Sequence, residues 1–409
     1  MQKSRIDQLI IEQEGMVPSS REEVEALQLK KLNELLEREE KRGGFYKNLP
    51  SSLSALKELE DLPFTTEEDL IKNGNRMVVL SQAEISKVIS EQTSGTTGAG
   101  KRVFYTEEDC LHTIRLFEAG LGEFVFPGNK TLICMPYSGP FGLGELISAA
   151  IRNLGAEPVE AGIGKTFGEL KEILETEKPE TFVGMPVVLL GLLRLYGKGS
   201  LKRALVSGDA CPEVVIEECE RILGAKLWPH YGSREMGLGG AICCPAHEGM
   251  HLRENHVIAE IVDERGKRVP DGTFGELVIT TIGMQAQPLV RYKTGDRTRI
   301  LPGRCPCGSY VVRLDEVARI GASGQMRKLD NQMFAIKELV DYRVSWFGET
   351  ADLEALCLPE ADIEILERKI RQSMEEVAGV AGEKLQVQVR AAKDENRPLY
   401  AAKRRIQDQ

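Results

Sequence analysis

No stretch of this 409-residue chain stays apolar for the roughly 18 residues that a membrane-spanning helix requires. The first residues, Met1 to Asp7, contain no apolar region of the signal-peptide kind, so a cytoplasmic location is the expectation. Positive charge is scarce too: 53 Lys and Arg against 63 Asp and Glu leave a net charge of −10, which excludes nucleic-acid binding by bulk electrostatics. Nine cysteines, an odd number spread through a long acidic chain, do not form a disulfide scaffold. Cys110, Cys134, Cys211, Cys219 and Cys357 stand singly and read as buried or incidental thiols. There is no internal repeat and no low-complexity tract. What remains is an ordinary globular composition, 42 % hydrophobic, in a chain long enough for two or three domains.

Apolar spacing over residues 20–60 predicts charged amphipathic helix. From 103 to about 210, short apolar strands alternate with helices: Thr131–Met135, Thr181–Met185 and Leu201–Val206 are strands, and Leu146–Leu154 and the Leu-rich run after Met185 are helical. Such alternation implies a largely parallel sheet. Between 257 and 300 the pattern changes to short strands, Val257–Val262, Gly275–Thr281 and Leu289–Tyr292, separated by turns. That predicts an antiparallel sheet or a small barrel. The chain then ends in strand and helix patterns, including a long amphipathic helix over Ala361–Val377.

One loop concentrates chemistry: Thr93-Ser94-Gly95-Thr96-Thr97-Gly98-Ala99-Gly100-Lys101-Arg102. Glycines let backbone N–H groups approach an anion, hydroxyls add donors, and a lysine closes the run. Gly95-x4-Gly100-Lys101 meets most of the Walker A pattern, but that loop needs Ser or Thr next, at the start of a helix. Here Arg102 follows, and Val103–Thr106 reads as a strand, with a helix beginning only at Thr106-Glu107-Glu108-Asp109. The loop is therefore expected to join two strands.

Further along come Ser207-Gly208-Asp209-Ala210 after a strand, His230-Tyr231-Gly232-Ser233-Arg234-Glu235 after a strand at Ala225–Trp228, and Tyr292-Lys293-Thr294-Gly295-Asp296 at a strand end. Arg319 precedes a small-residue run, Gly321-Ala322-Ser323-Gly324, and Lys403 sits in a basic segment near the C-terminus. Cysteine and histidine cluster twice: Cys243, Cys244, His247 and His251 upstream, and Cys305-Pro306-Cys307 downstream. Two clusters of two can supply the four N/S ligands of a structural zinc, and spacing alone favours the pair Cys244 and His247.

Taken in order, these segments resemble the phenylacetate–CoA ligase branch of the adenylate-forming acyl/aryl-CoA synthetases, with the coenzyme F390 synthetases as neighbours. The resemblance runs from about Leu62 to Arg313. It implies an α/β fold: a large adenylate-forming domain over 1–318 with mainly parallel sheets and a small antiparallel or barrel subdomain, and a small α+β lid over 319–409. It implies an enzyme that uses ATP to convert a carboxylic acid, of aryl or arylacetic type, to an acyl-AMP and passes the acyl group to CoA. The alternatives are a different acceptor, as in F390 synthesis, or a zinc-containing nucleotide-binding protein without catalysis.

Residue by residue, the resemblance assigns Thr93, Ser94, Gly95, Thr96, Thr97, Gly98 and Lys101 to the ATP phosphates. Ser207, Gly208, Asp209, Tyr231, Gly232 and Ser233 go to the adenine side, Glu235 to Mg²⁺, and Asp296 and Arg319 to the ribose. Arg234 stands where relatives carry a threonine that meets the α-phosphate, and a guanidinium can bind that group as well. Lys403 would stabilise the adenylation transition state. Tyr137, Phe141, Gly237 and Gly239 would line the acyl pocket. For zinc, relatives pair the C-x-C knuckle with a C-x6-H, which here gives Cys244, His251, Cys305 and Cys307. Expected partners are thus ATP, an acid and CoA, with Mg²⁺ and structural Zn²⁺, a homodimer as the candidate assembly, and neither nucleic acid nor membrane.

Overall fold

The computed structural model describes residues 4–91, 100–209, 211–320 and 323–399. The phosphate-loop residues Thr93 to Gly98, the small residues Gly321 and Ala322, and Lys403 lie outside the described residues. The chain forms two compact units, each assembled from separated segments. The first comprises Met1–Phe124, Ser138–Leu154 and Pro229–Val317, and the second Val125–Tyr137, Gly155–Trp228 and Ala318–Gln409. Among the described residues no helix is long and apolar enough to cross a membrane.

In the second unit, four strands run parallel. Lys130–Cys134 lies between Glu157–Glu160 and Thr181–Gly184, and Arg203–Val206 pairs with Thr181–Gly184 on its far side. The strand Thr181–Gly184 is buried throughout, which is why it reads as a continuous apolar run rather than an alternating one. The helix Pro186–Tyr196 opens with proline at its first position, where no N–H is needed, and buries nearly its whole length. The C-terminal segment adds the antiparallel pair Leu339–Phe347 and Thr350–Cys357, with Leu385–Ala391 parallel to the latter. Its helix Ile363–Ala378 is capped by Asp362 and ended by Gly379 in the left-handed region. The two parts of this unit share one core, in which Phe167, Leu189 and Leu193 are joined by Phe334, Val340 and Tyr342. Arg194 fixes the seam: its guanidinium donates to the carbonyls of Phe334, at 2.7 Å, Ile336, at 3.1 Å, and Leu339.

The first unit holds the antiparallel structure. Strands Val257–Val262, Gly275–Thr281 and Tyr292–Thr298 pair in that order, with a register shift between Glu276 and Val278. They form an open sheet, so the barrel expected as one option is not what the sequence builds. The third strand also starts where Leu289–Tyr292 was expected to end, and the Tyr292–Asp296 motif runs inside it. Likewise, the strand expected at Ala225–Trp228 is displaced onto the motif itself, Trp228–Tyr231. In both places polar residues occupy a strand because one of its faces borders the site described below.

The glycine-rich loop connects two antiparallel strands, Lys87–Glu91 and Lys101–Tyr105, with Glu91 opposite Lys101. No helix starts at Lys101, which removes the Walker alternative. The next helix, Glu107–Leu121, begins with a reciprocal cap in which Thr106 and Asp109 bond each other's backbone N–H.

Candidate active site

Alternation along Lys101–Tyr105 turns Lys101, Val103 and Tyr105 to the buried side. The Lys101 ammonium meets Glu235 Oε1 at 2.6 Å and Glu67 Oε1 at 3.1 Å. Tyr292 donates from its hydroxyl to the same Glu235 oxygen at 3.4 Å. Burial alone would raise the Glu235 carboxyl, but the adjacent ammonium and its hydrogen bonds hold it below the ordinary carboxylate value. Burial works against the Lys101 charge too, and Glu235 and Glu67 together hold it above the ordinary lysine value. Both groups are therefore ionised, as a buried pair.

Glu235 sits in the short helical turn Arg234–Met236, which Gly237 ends with φ 79°. At the other end of the turn, the Tyr105 hydroxyl donates to the Arg234 carbonyl at 2.7 Å. Burial pushes that phenol well above its ordinary value, so it remains a donor. One strand thus contributes both Lys101 and Tyr105 to the same turn. Gly232 allows the chain to fold back here, since a Cβ would stand 2.3 Å from the Leu238 carbonyl oxygen.

Nearby in sequence, Tyr231 donates from its hydroxyl to Asp296 Oδ2 at 2.8 Å. Asp296 is set by its own N–H, which donates to Thr294 Oγ1 at 3.0 Å. The strand Tyr292–Thr298 therefore carries Tyr292 against Glu235 and Asp296 against Tyr231. An aromatic face, a carboxylate acceptor and a buried ion pair suit a nucleotide: a base to stack, a diol to bind and phosphates to meet charge.

Gly237 and Gly239 sit where a side chain would crowd its neighbours. A Cβ on Gly237 would stand 3.3 Å from Met284 Sδ, 3.6 Å from Thr113 Oγ1 and 3.7 Å from Arg253 Nη2. One on Gly239 would stand 2.6 Å from Leu116 Cδ2. The Thr113 hydroxyl also donates to the Gly237 carbonyl. Phe141 belongs to the same unit and takes a left-handed backbone with φ 61°. The remaining expected residues lie in the second unit. Tyr137 contacts the position where Gly162 lacks a side chain, at 3.5 Å, and Ser207, Gly208 and Asp209 follow the strand Arg203–Val206. Gly208 turns the chain there with φ 88°, and the Ser207 N–H donates to the Gly184 carbonyl at 3.0 Å. Arg319 is exposed on the short strand Ala318–Arg319.

The cysteine and histidine clusters converge in the first unit. Cys244, His251, Cys305 and Cys307 bring their ligand atoms within 4.8 Å of one another. Cys244 Sγ lies 3.6 Å from Cys305 Sγ, and Cys307 Sγ lies 3.5 Å from His251 Nε2. A tetrahedron with Zn–S of about 2.3 Å and Zn–N of about 2.1 Å has edges of roughly 3.6 Å, which these two separations match. His247, the spacing-based alternative, approaches Cys243 Sγ at 3.7 Å instead.

A family model described as AMP-binding enzyme matches residues 45–286. The chain belongs to the AMP-binding enzyme family. Within it, the chain lies in a phenylacetate–CoA ligase-like branch. It is 27 % identical over 320 residues to the phenylacetate-coenzyme A ligase of Thermus thermophilus, covering 73 % of this chain and 70 % of that protein. It is 30 % identical over 313 residues to the enzyme of that name from Aromatoleum evansii, covering 71 % and 69 %. Among solved structures it is similar to a 2-hydroxyisobutyryl-CoA ligase in its postadenylation state, with TM-score 0.77, 20 % identity and coverage of 96 % of this chain and 91 % of that one. An anthranilate CoA ligase bound to anthranoyl-AMP matches with TM-score 0.51 and 14 % identity, over 84 % and 67 % of the two chains.

Three residues of this candidate site escaped the sequence reading. Glu67 is the second partner of Lys101, and its only local signal is a place in the first turn of a capped helix. Tyr105 and Tyr292 look like strand aromatics in sequence. Their hydroxyls acquire meaning only when the fold brings them to the 234–236 turn.

Proposed function

We propose that the protein is an AMP-forming ligase that activates a carboxylic acid of aryl or arylacetic type with ATP and transfers the acyl group to CoA. The observation that carries this reading is the buried Lys101–Glu235 pair, joined through the strand Tyr292–Thr298 to the Tyr231–Asp296 hydrogen bond. The family membership and the phenylacetate–CoA ligase relatives support it.

In the proposed reaction the acid's carboxylate oxygen attacks the α-phosphorus. The bond to the bridging oxygen breaks, and pyrophosphate leaves with its electron pair. Lys101, at the end of the glycine-rich loop, meets the charge that grows on the leaving group. Asp296 accepts from the ribose hydroxyls, and Tyr231 presents its ring to the base. The CoA sulfur then attacks the acyl carbonyl and AMP departs. Ser207, Gly208, Asp209, Arg234, Arg319 and Lys403 keep the nucleotide-binding and catalytic roles that the resemblance gives them, and the 319–409 segment keeps that of a lid.

Glu235 suits Mg²⁺, a hard cation that takes one or two carboxylates plus phosphate and water oxygens. When bound, Mg²⁺ would neutralise the phosphate oxygens during the displacement. The Lys101 ammonium occupies the Glu235 oxygen, so Glu235 would have to exchange that partner to hold Mg²⁺. Cys244, His251, Cys305 and Cys307 would hold a structural Zn²⁺, because four protein ligands leave no open position for catalysis. A cytoplasmic location and a homodimer belong to the same proposal.

ATP–pyrophosphate exchange tests it. Exchange should depend on an added acid, and thioester should form when CoA is supplied. No exchange across a panel of aryl and fatty acids would sink the reading. AMP release indifferent to CoA would assign another acceptor.

A further inference from the structure

The first helix, Arg5–Glu14, buries Ile6, Leu9 and Ile10 and is tied to the rest of its unit by a short set of polar contacts. The Arg5 N–H donates to Glu123 Oε1 at 2.9 Å, the Ser309 hydroxyl donates to Asp7 Oδ1 at 2.9 Å, and Glu14 pairs with Lys31. In the last turn, Gln13 Oε1 accepts from Asn255 Nδ2 at 2.7 Å and meets His256 Nε2 at 2.9 Å. A carboxamide oxygen only accepts, so that imidazole nitrogen carries the proton.

His256 is 3 % exposed, and its other nitrogen has no acceptor for a second proton. Nδ1 is buried without a hydrogen-bond partner, and Gly283 lies so close that a Cβ there would stand 2.0 Å from it. His112, on the helix Glu107–Leu121, stands edge-on to His256 with ring centroids 4.4 Å apart. Its Nδ1 is likewise buried without a partner.

Cations surround the two rings. Arg253, Arg115 and Lys31 of the helix Arg21–Arg42 all face the pair. Three acids stand nearby, each already engaged. Glu108 Oε1 lies 2.9 Å from His112 Nε2 but is 49 % exposed and shared with Arg115. Glu14 is taken by Lys31. Asp109 offsets Arg253, and its oxygens accept from the backbone N–H groups of Thr106, Gln285 and Ala286. Burial first, and Arg253 after it, push His112 down to about 3 and His256 well below the ordinary histidine value.

We propose that His112 and His256 form an acid-sensitive latch for the helix Arg5–Glu14, which leaves the body of the protein when the pair is protonated. An imidazolium at either position would face a second ring at 4.4 Å and three cations, with an N–H that meets no acceptor. Departure of the helix takes Gln13 off His256 and lets water hydrate the new charge. Both folded values lie below the ordinary 6.5, so the latch holds fully above that pH and is lost as pH falls below it. The helix Glu107–Leu121, which carries His112, also carries Thr113, whose hydroxyl holds Gly237, so release reaches the candidate site. The latch stands independently of the ligase reading.

Amide hydrogen exchange of the full chain from about pH 8 to about pH 5, corrected for intrinsic rates, tests it. Protection over residues 9–14 should stay below that of the strand Gly275–Thr281 at every pH, because the helix opens without the whole fold. Above about pH 7 it should be flat. Below about pH 6 it should fall about tenfold per pH unit for each histidine, about a hundredfold for the pair. His256→Gln, which keeps an N–H for Gln13, should reduce this to about tenfold, and His112→Gln with His256→Gln should abolish it. Protection over 9–14 that is independent of pH overturns the latch. So does protection that coincides with that of Gly275–Thr281, since the helix would then leave only on global unfolding. Should the variants fail to fold, those two wild-type readings decide.

Discussion

Replacing Lys101 by methionine removes one half of a buried ion pair and leaves the other half in place. Glu235 would then keep a carboxylate whose side chain is 7 % exposed, with the Tyr292 hydroxyl at 3.4 Å as its described donor. Breaking such a pair costs about 3–5 kcal/mol, because the surviving charge stays desolvated. The converse change, Glu235→Gln, should cost less, about 2 kcal/mol, because Lys101 retains Glu67 at 3.1 Å, a partner 49 % exposed and weak on its own. Removing both at once strands no charge. The double variant should therefore lose about 1–2 kcal/mol, for a coupling of roughly 4.5 kcal/mol.

Urea unfolding of the four proteins, read by fluorescence and by amide exchange at residues 231–238, measures the cycle. The sign of the pH dependence follows from the two shifts. Glu235 lies below its ordinary value of 4.5, so its share of the stability is full above that value and is lost as pH falls through the lowered folded one. Lys101 lies above its ordinary value of 10.5, so its share is full below that value and is lost as pH rises through the raised one. The gap between wild type and Lys101→Met should be flat from about pH 6 to pH 9 and shrink in acid. A coupling below about 0.5 kcal/mol, or a Glu235→Gln that loses more than Lys101→Met, would refute the ion-pair argument.

Tyr231→Phe keeps the ring and deletes the donor to Asp296, so KM for ATP should rise by about tenfold with little change in KM for the acid. An unchanged KM for ATP would detach Tyr231 from the nucleotide. Protein purified without chelator should contain about one zinc per chain, and Cys305→Ser should reduce this to less than about a tenth; metal analysis checks both, and zinc-free wild type would remove the metal. Gly239→Val places a branched side chain against Leu116 and into the acyl wall, so kcat/KM for the acid should fall by at least about tenfold while KM for ATP holds. Equal losses for both substrates would mean a general disruption. Lys403→Ala should abolish acid-dependent exchange yet spare thioester formation from supplied acyl-AMP, as product analysis would show.

Much of this was readable before any coordinates. Arg102 and the β-branched run after it announced a strand, and the resemblance named the set Cys244, His251, Cys305 and Cys307 whose donors converge, where spacing alone had favoured His247. What stayed hidden depends on packing across long separations. The Lys101 ammonium joins residue 67 to residue 235, and no local pattern marks Glu67 for it. The strands at Trp228–Tyr231 and Tyr292–Thr298 were misplaced by three or so residues, since their polar members argue against strand until a site on one face explains them.

The turn at Arg234–Met236 is held at its start by the Tyr105 hydroxyl, in its middle by Lys101, and just beyond its end by the Thr113 hydroxyl on Gly237. The first two of those holds come from the strand Lys101–Tyr105, and the third comes from the helix Glu107–Leu121. A single residue, Met236, therefore separates Glu235, which the proposal gives to Mg²⁺ and ATP, from Gly237, which it gives to the acid. A ligand that drew Glu235 away from Lys101 would oblige the same peptide units to adjust, with Gly237 as the next link. By thermodynamic reciprocity, a ligand held at Gly237 would then act back on Glu235 by the same factor.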